Sequence, residues 1–379
     1  MTRVLVSLSA VGLALAACTL LIQRDAAPAV AAAPLGAAAR PAAAASGDGQ
    51  PAAATGAYRG LAIQLRTGFG PVERYGPLLR EIADLGADTV MLCPCGFMEH
   101  ARSQGIFVDV RKTPSPPDLV ALTKEARRLG LRPIIMPMLL LTNPRGSEWR
   151  GVIEPPEWND WWRQYREFII HFADIARDGG AEALMVGSEL VTTEKYTAEW
   201  IRVIEAAREH YPGGKLGYSA NWDHYKPVQF WDKLDLIGMT SYHTLADKKN
   251  PSVDEIAAKW KPICDEVAAW QKKIGRPILM TEVGWCSQEG AAMAPWNYYA
   301  NQVATPAGHE EQRRLYEAFI RAWNGSGALG GVIWWEWQET GGEKDYGYTP
   351  KGKPAETVLR RWFSESRTSP ADAATNGGR

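Results

Sequence analysis

Eight short apolar, β-favouring runs alternate with amphipathic stretches between Tyr58 and Phe363, and no other feature constrains the fold as tightly. The runs are Gly60 to Leu65, Thr89 to Cys93, Pro133 to Met138, Ala183 to Gly187, Leu216 to Ala220, Leu234 to Thr240, Pro277 to Thr281 and Gly331 to Trp335. The intervening stretches have helical spacing. Leu119, Leu122, Ala126 and Leu129 share one face, as do Trp200, Val203, Ile204 and Ala207. Five of them stop at Gly86, Gly130, Gly179, Gly213 and Gly275, each expected to take the left-handed position that ends a helix and turns the chain back. Repeated βα units build a parallel sheet, and eight strands is the number that closes one, so the chain is expected to be α/β, a single (β/α)8 barrel. An open doubly wound sheet is the competing architecture, but no Gly-x-Gly-x-x-Gly turn follows the first strand.

The 379 residues suffice for one barrel with extra segments at its ends. Residues 1–17 read as an export signal, with Arg3 followed by an apolar run from Val4 to Ala17 that holds no acid. Leu15-Ala16-Ala17-Cys18 has the form of a lipobox, which would leave Cys18 as a lipidated first residue and the only link to a membrane. Ordinary cleavage is an alternative. So is an uncleaved anchor, since apolar residues resume at Leu20, Leu21 and Ile22. All three readings place the remainder outside the cytoplasm, in the cell envelope or secreted. Residues 18–57 are Ala- and Pro-rich without apolar periodicity and read as a disordered tether; 58–364 form the barrel; 365–379 read as a disordered tail.

A formal net charge of −1, with acids and bases interspersed, provides no basic field for a nucleic acid. A neutral substrate fits better, and the 16 Trp supply flat rings of the kind that hold the apolar faces of sugars, although most such rings fill cores. Cys93, Cys95, Cys264 and Cys286 permit two disulfides in an oxidising compartment, in a pairing the sequence does not fix. Cys93-Pro94-Cys95 lacks companion ligands at metal-binding spacing, so neither a metal nor another cofactor is expected, and the chain is expected to act as a monomer.

In such a barrel the active site lies at the carboxyl ends of the strands. Two runs end there in an acid: Ala183 to Ser188 leads into Glu189, and Pro277 to Thr281 into Glu282. A carboxylate closing an apolar strand costs free energy unless it is paired or used. A salt bridge explains either acid singly. Together, on strands from opposite walls of one pocket, they match the pair that cleaves a glycosidic bond, one protonating the leaving oxygen and one meeting the oxocarbenium-like carbon. Each would raise the other's proton affinity, which keeps the acid protonated.

Val186-Gly187-Ser188-Glu189-Leu190, Asp235 to Tyr242, Thr281-Glu282-Val283-Gly284-Trp285 and Val332 to Trp337, with Trp149-Arg150-Gly151 and Asn221-Trp222-Asp223, resemble glycoside hydrolase family 113. The resemblance runs through the whole barrel. It implies a retaining mechanism with Glu189 as general acid/base and Glu282 as nucleophile, and a β-1,4-mannan or related β-glycan as substrate. Two positions depart from the pattern. Ser188 stands where many members of the wider clan have an Asn that touches the sugar 2-hydroxyl, leaving Asn221 to serve. Met136-Pro137-Met138, followed by Leu139 to Leu141, stands where members often carry Lys-Pro.

Around the acids, Tyr242 is placed to donate to the nucleophile. Trp335, rather than its neighbour Trp334, is expected to floor the subsite, since adjacent strand residues face opposite ways. Trp149, Trp222 and Trp285 are candidates for neighbouring subsites, and Glu336 for a bond to a sugar hydroxyl or an Arg. His243 is open to either a substrate contact or a structural bond. A glycan-binding surface lipoprotein without catalysis, and a transglycosylase, are the alternative functions.

Overall fold

The computed structural model describes residues 56–365. The predicted signal segment, the lipobox at Cys18 and most of the tether lie outside them. Among the described residues no helix is long and apolar enough to cross a membrane.

The strands are β1 (Tyr58–Leu65), β2 (Thr89–Met98), β3 (Arg132–Ile135), β4 (Met138–Leu141), β5 (Ala183–Ser188), β6 (Lys215–Ala220), β7 (Leu236–Thr240), β8 (Ile278–Val283) and β9 (Leu329–Trp334). Each of the eight sequence runs falls on a strand. Only the third is divided: β3 pairs with the first half of β2 and β4 with its second half, the break falling at Met136-Pro137, where proline has no N–H to give a ladder. β3 and β4 are thus two segments of one stave. The parallel ladder runs β1–β2–β3–β5–β6–β7–β8–β9 and returns from β9 to β1, closing an eight-stave barrel.

The helices are α1 (Pro71–Asp84), α2 (Pro116–Arg128), α3 (Trp158–Gly179), α4 (Thr197–His210), α5 (Val253–Ile274), α6 (Pro306–Trp323) and α7 (Pro354–Glu365). The β6-to-β7 connection holds only a short 3-10 turn, Trp231–Lys233. Gly86, Gly130, Gly213 and Gly275 take the predicted positive φ. At the end of α3 that position belongs to Gly180, with φ 65°. Gly179 is the last helical residue, and a Cβ there would lie 2.7 Å from the Cβ of Thr123. Gly179 serves close helix packing rather than a turn.

Two apolar layers follow from strand alternation. Strand residues such as Leu61, Ile63, Val90, Leu92, Leu184 and Met239 pack outward against the helices, including the predicted faces of α2 and α4. Ala62, Met91, Cys93, Cys95, Ile134, Met136, Ala183, Met185, Leu279 and Ile333 fill the barrel interior, with Met138 and Trp335 among them. The interior is therefore plugged, and the cleft opens above it at the carboxyl ends of the strands. Cys93 and Cys95 face this plug, Cys264 lies on α5 and Cys286 just past β8; no disulfide joins any two of them.

Candidate active site

Glu189 and Glu282 both follow a break in strand register. Pairing of β5 with β6 shifts between Met185 and Ser188, and pairing of β7 with β8 skips Thr281. Such irregularities re-aim side chains at barrel rims. At Glu189 the turn is completed by a φ of 54°, a left-handed backbone that costs a non-glycine residue about 1–2 kcal/mol. Two hydrogen bonds to its carboxyl offset that cost. Arg150 Nη2 donates to Glu189 Oε2 over 2.5 Å and Thr240 Oγ1 donates to Oε1 over 2.9 Å.

The same Arg150 nitrogen lies 3.8 Å from Glu282 Oε1. Laid end to end, the two Arg150 distances limit the separation of these carboxylate oxygens to about 6.3 Å. Glu282 Oε2 accepts from Tyr242 Oη at 2.9 Å, while Oε1 is buried with no hydrogen-bond donor. Burial first, and the charge of Glu189 second, push Glu282 up to about 8 against the opposing pulls of Arg150 and Tyr242.

A cleft of about 380 Å³ opens over this pair. Of the residues singled out in the sequence, Glu189, Glu282, Tyr242, Trp335, Asn221, Trp222, Trp149 and Glu336 line it. Trp334 faces outward and stacks on Tyr316 at 4.7 Å, so of the adjacent pair it is Trp335 that turns to the axis. The Trp335–Glu336 peptide is cis. Gly151 explains why Trp149-Arg150-Gly151 reads as a unit: a Cβ there would lie 2.2 Å from the Trp149 ring, so only glycine lets the indole fold back over the chain. Both Glu336 oxygens are taken, by Gln64 at 2.6 Å and Gln338 at 2.7 Å, and burial raises its pKa. Asn221 Nδ2 donates to Asp223 at 2.7 Å.

One expectation fails. Trp285 does not reach the cleft: it is fully buried under α6, with Trp260, Tyr316 and Phe319 around it at ring distances of 5.7 to 6.4 Å. Glu282 faces inward and the chain past β8 turns the large ring outward, where it buries more apolar surface than a rim position would. His243 also stays out of the cleft. It lies against Trp222 and Trp260, and burial lowers its pKa to about 4, so it backs a cleft residue as a neutral ring.

Other lining residues went unnoticed in the sequence. Gln64 and Arg66 close the first apolar run with polar side chains, the criterion that singled out the two acids, so a signal existed. Arg150 stood inside a quoted motif without a role. Trp296, Tyr298, Asp345, Tyr346 and Tyr348 come from the long loops after β8 and β9, where no periodicity marks them. Among the described residues no group of three or more His, Cys, Asp or Glu could hold a metal ion.

A protein-family model, Glycoside Hydrolase Family 113, matches residues 74–353. Among solved structures, the GH113 β-mannanase AaManA from Alicyclobacillus acidocaldarius, in complex with ManMIm, is 27% identical. It covers 82% of this chain and 98% of its own at a TM-score of 0.72. Another GH113 β-1,4-mannanase, also solved as a complex, is 24% identical over 82% of this chain and 99% of its own, with a TM-score of 0.73. The hyperthermostable endo-1,4-β-D-mannanase from Thermotoga petrophila RKU-1 shares the fold at 12% identity, 82% and 99% coverage and a TM-score of 0.55. No curated sequence matches the chain.

Proposed function

Since the chain belongs to glycoside hydrolase family 113, we propose that it is a retaining hydrolase of β-linked mannan or a closely related β-glycan, with Glu282 as nucleophile and Glu189 as acid/base. One observation carries the reading: two buried carboxylates from β5 and β8 converge on one guanidinium, within about 6.3 Å of each other, beneath an aromatic-lined cleft. Retaining enzymes hold their carboxyl groups roughly 5–5.5 Å apart, whereas inverting enzymes need roughly 6.5–9.5 Å to admit a water.

In the first step an oxygen of Glu282 bonds to the anomeric carbon. The glycosidic C–O bond breaks, its electron pair goes to the leaving oxygen, and Glu189 supplies that oxygen's proton. In the second, Glu189 takes a proton from water, the water oxygen bonds to the anomeric carbon, and the Glu282 carboxylate departs. Glu282 Oε1, without a donor in the empty cleft, is the oxygen best suited to attack. Tyr242 fixes the other oxygen and thereby the plane of the carboxylate. Attack needs Glu282 ionised, whereas burial and the charge of Glu189 raise its proton affinity in the empty site. Arg150 lies in reach of both acids, and its charge opposes the rise in the proton affinity of Glu282. Trp335 forms the floor for the ring beside the scissile bond, with Trp149 and Trp222 flanking it.

The sequence of residues 1–18 supports export, with lipid attachment at Cys18 as the proposed anchor. The test of function is a panel of mannan, glucomannan, xylan and β-glucan, with product analysis and the anomeric configuration of the first product followed by NMR. Release of β-anomers from mannan or glucomannan is the expected result. Binding measured by calorimetry without any reducing ends released would favour a non-catalytic glycan-binding protein instead.

A further inference from the structure

Behind the acid/base candidate lies a polar chain whose side chains, Glu194, Tyr218 and His224, do not line the cleft. Glu194, in the loop between β5 and α4, has a side chain 1% exposed. Its Oε1 accepts from Tyr218 Oη at 2.7 Å and its Oε2 faces His224 Nδ1 at 2.6 Å. The Tyr218 hydroxyl, its proton committed to Glu194, accepts from the backbone N–H of Leu190 at 3.1 Å. Leu190 directly follows Glu189, so its N–H is the first donor past the left-handed residue and lies outside the β5 ladder. The other arm ends at the ring of His224, a residue whose backbone N–H donates to the carbonyl of Asn221, in the segment that brings Asn221, Trp222 and Asp223 to the cleft wall.

Burying a carboxylate in an apolar surround is unfavourable without compensation, and Tyr218 is itself packed among Trp200, Phe230 and Trp231. The core therefore carries a polar chain that ends on the residue after the left-handed Glu189, adding to the bonds that Arg150 and Thr240 make to its carboxyl. We propose that Glu194, acting through Tyr218, is a positioning device for Glu189: it orients the tyrosine hydroxyl so that the Leu190 N–H has a fixed acceptor, and so holds Glu189 in the rotation that aims its carboxyl at the leaving oxygen. The inference rests on the acid/base reading of Glu189.

A positioning role and a merely structural one differ in how activity depends on the leaving group. The experiment compares wild type, Tyr218→Phe, Glu194→Gln and Glu189→Ala on aryl β-mannobiosides running from dinitrophenyl to unsubstituted phenyl, reading kcat/KM, which reports only the glycosylation step. If the panel identifies another glycan, the same aryl series is made on that sugar. Glu189→Ala sets the scale: it should be nearly as active as wild type on dinitrophenyl substrate and fall by about 10²-fold or more on phenyl. Tyr218→Phe should follow the same slope at reduced amplitude, losing about tenfold or more on phenyl and less than about threefold on dinitrophenyl. Glu194→Gln, which keeps the side chain's volume, should fall between wild type and Tyr218→Phe. Equal losses across all leaving groups, or none, in both Tyr218→Phe and Glu194→Gln would overturn the proposal. A Glu189→Ala variant without leaving-group dependence would instead overturn the acid/base reading on which it rests. Should Tyr218→Phe fail to fold, the slope of Glu194→Gln alone decides.

Discussion

The ends of β5 and β8 present the same residue to the same cleft in opposite conditions. Glu189 is held on both oxygens, by Arg150 and Thr240, in a left-handed backbone. Glu282 is held on one oxygen by Tyr242, while the other has no hydrogen-bond donor and only the Arg150 charge at 3.8 Å, and its proton affinity is pushed up by burial and by Glu189. Chemistry at a carboxylate is set by what surrounds it. An oriented oxygen without a donor suits attack on carbon, and a carboxyl beside a fixed positive charge suits giving and taking a proton. The pair differ in environment before they differ in role.

The sharpest way to break that contrast is to remove each acid in turn. Glu282→Ala should reduce kcat on the cognate glycan to background, by at least ~10⁴-fold. Glu189→Ala should cost ~10²–10⁴-fold on the glycan, and on an aryl glycoside with a good leaving group azide should restore turnover by attacking the glycosyl-enzyme to give a β-glycosyl azide. Azide rescue of Glu282→Ala with formation of an α-azide instead of the β-product is compatible with this order; a β-azide from Glu282→Ala would reverse the assignment. Next in size is Arg150→Met, expected to lower kcat/KM by about 10–100-fold and to move the acid limb of its pH profile upward, since removing a positive charge raises the proton affinity of Glu282, which attacks as the carboxylate. An unmoved limb would mean that Arg150 does not act on the Glu282 proton.

Tyr242→Phe should cost about tenfold in kcat, the worth of one hydrogen bond to a charged group, and should likewise raise Glu282's proton affinity. The smallest effect concerns stability. Folding raises Glu282 from its usual 4.5 to about 8, so the folded protein holds a proton there that the unfolded chain has released. The stability linked to it is complete below about 4.5 and is lost as pH rises through about 8. Thermal melting of Glu282→Gln, with no proton to lose, should decline less than wild type across that window. Parallel curves would show that Glu282 does not hold the extra proton in the folded protein.

Other differences trace to particular residues. The polar residues that end apolar strands were readable because a strand-terminal acid is costly wherever the chain goes. Trp335 was separable from Trp334 by strand alternation alone. Trp285 was misplaced because it lies past the end of β8, where alternation no longer applies and the burial of a large ring under α6 decides. The wall made by Trp296, Tyr298 and the Asp345–Tyr348 segment rests on bonds that no local pattern reveals. Gln288 on one loop donates to the Tyr298 and Tyr346 carbonyls, and buried Lys353 bonds Ser287 and Asp345 across two loops.

What the sequence determined by itself was the ladder of eight runs, the helical faces between them and the acids that close the fourth and seventh staves. These are local statements, fixed by the period of the backbone and by the cost of charge beside apolar neighbours. Tertiary structure decided the rest: the guanidinium from a distant loop that joins the two acids, the hidden chain from Glu194 to Leu190, and which rings face the cleft. Those depend on register breaks and on contacts between residues tens to hundreds of positions apart, where periodicity carries no information and only packing selects among the directions a side chain can take.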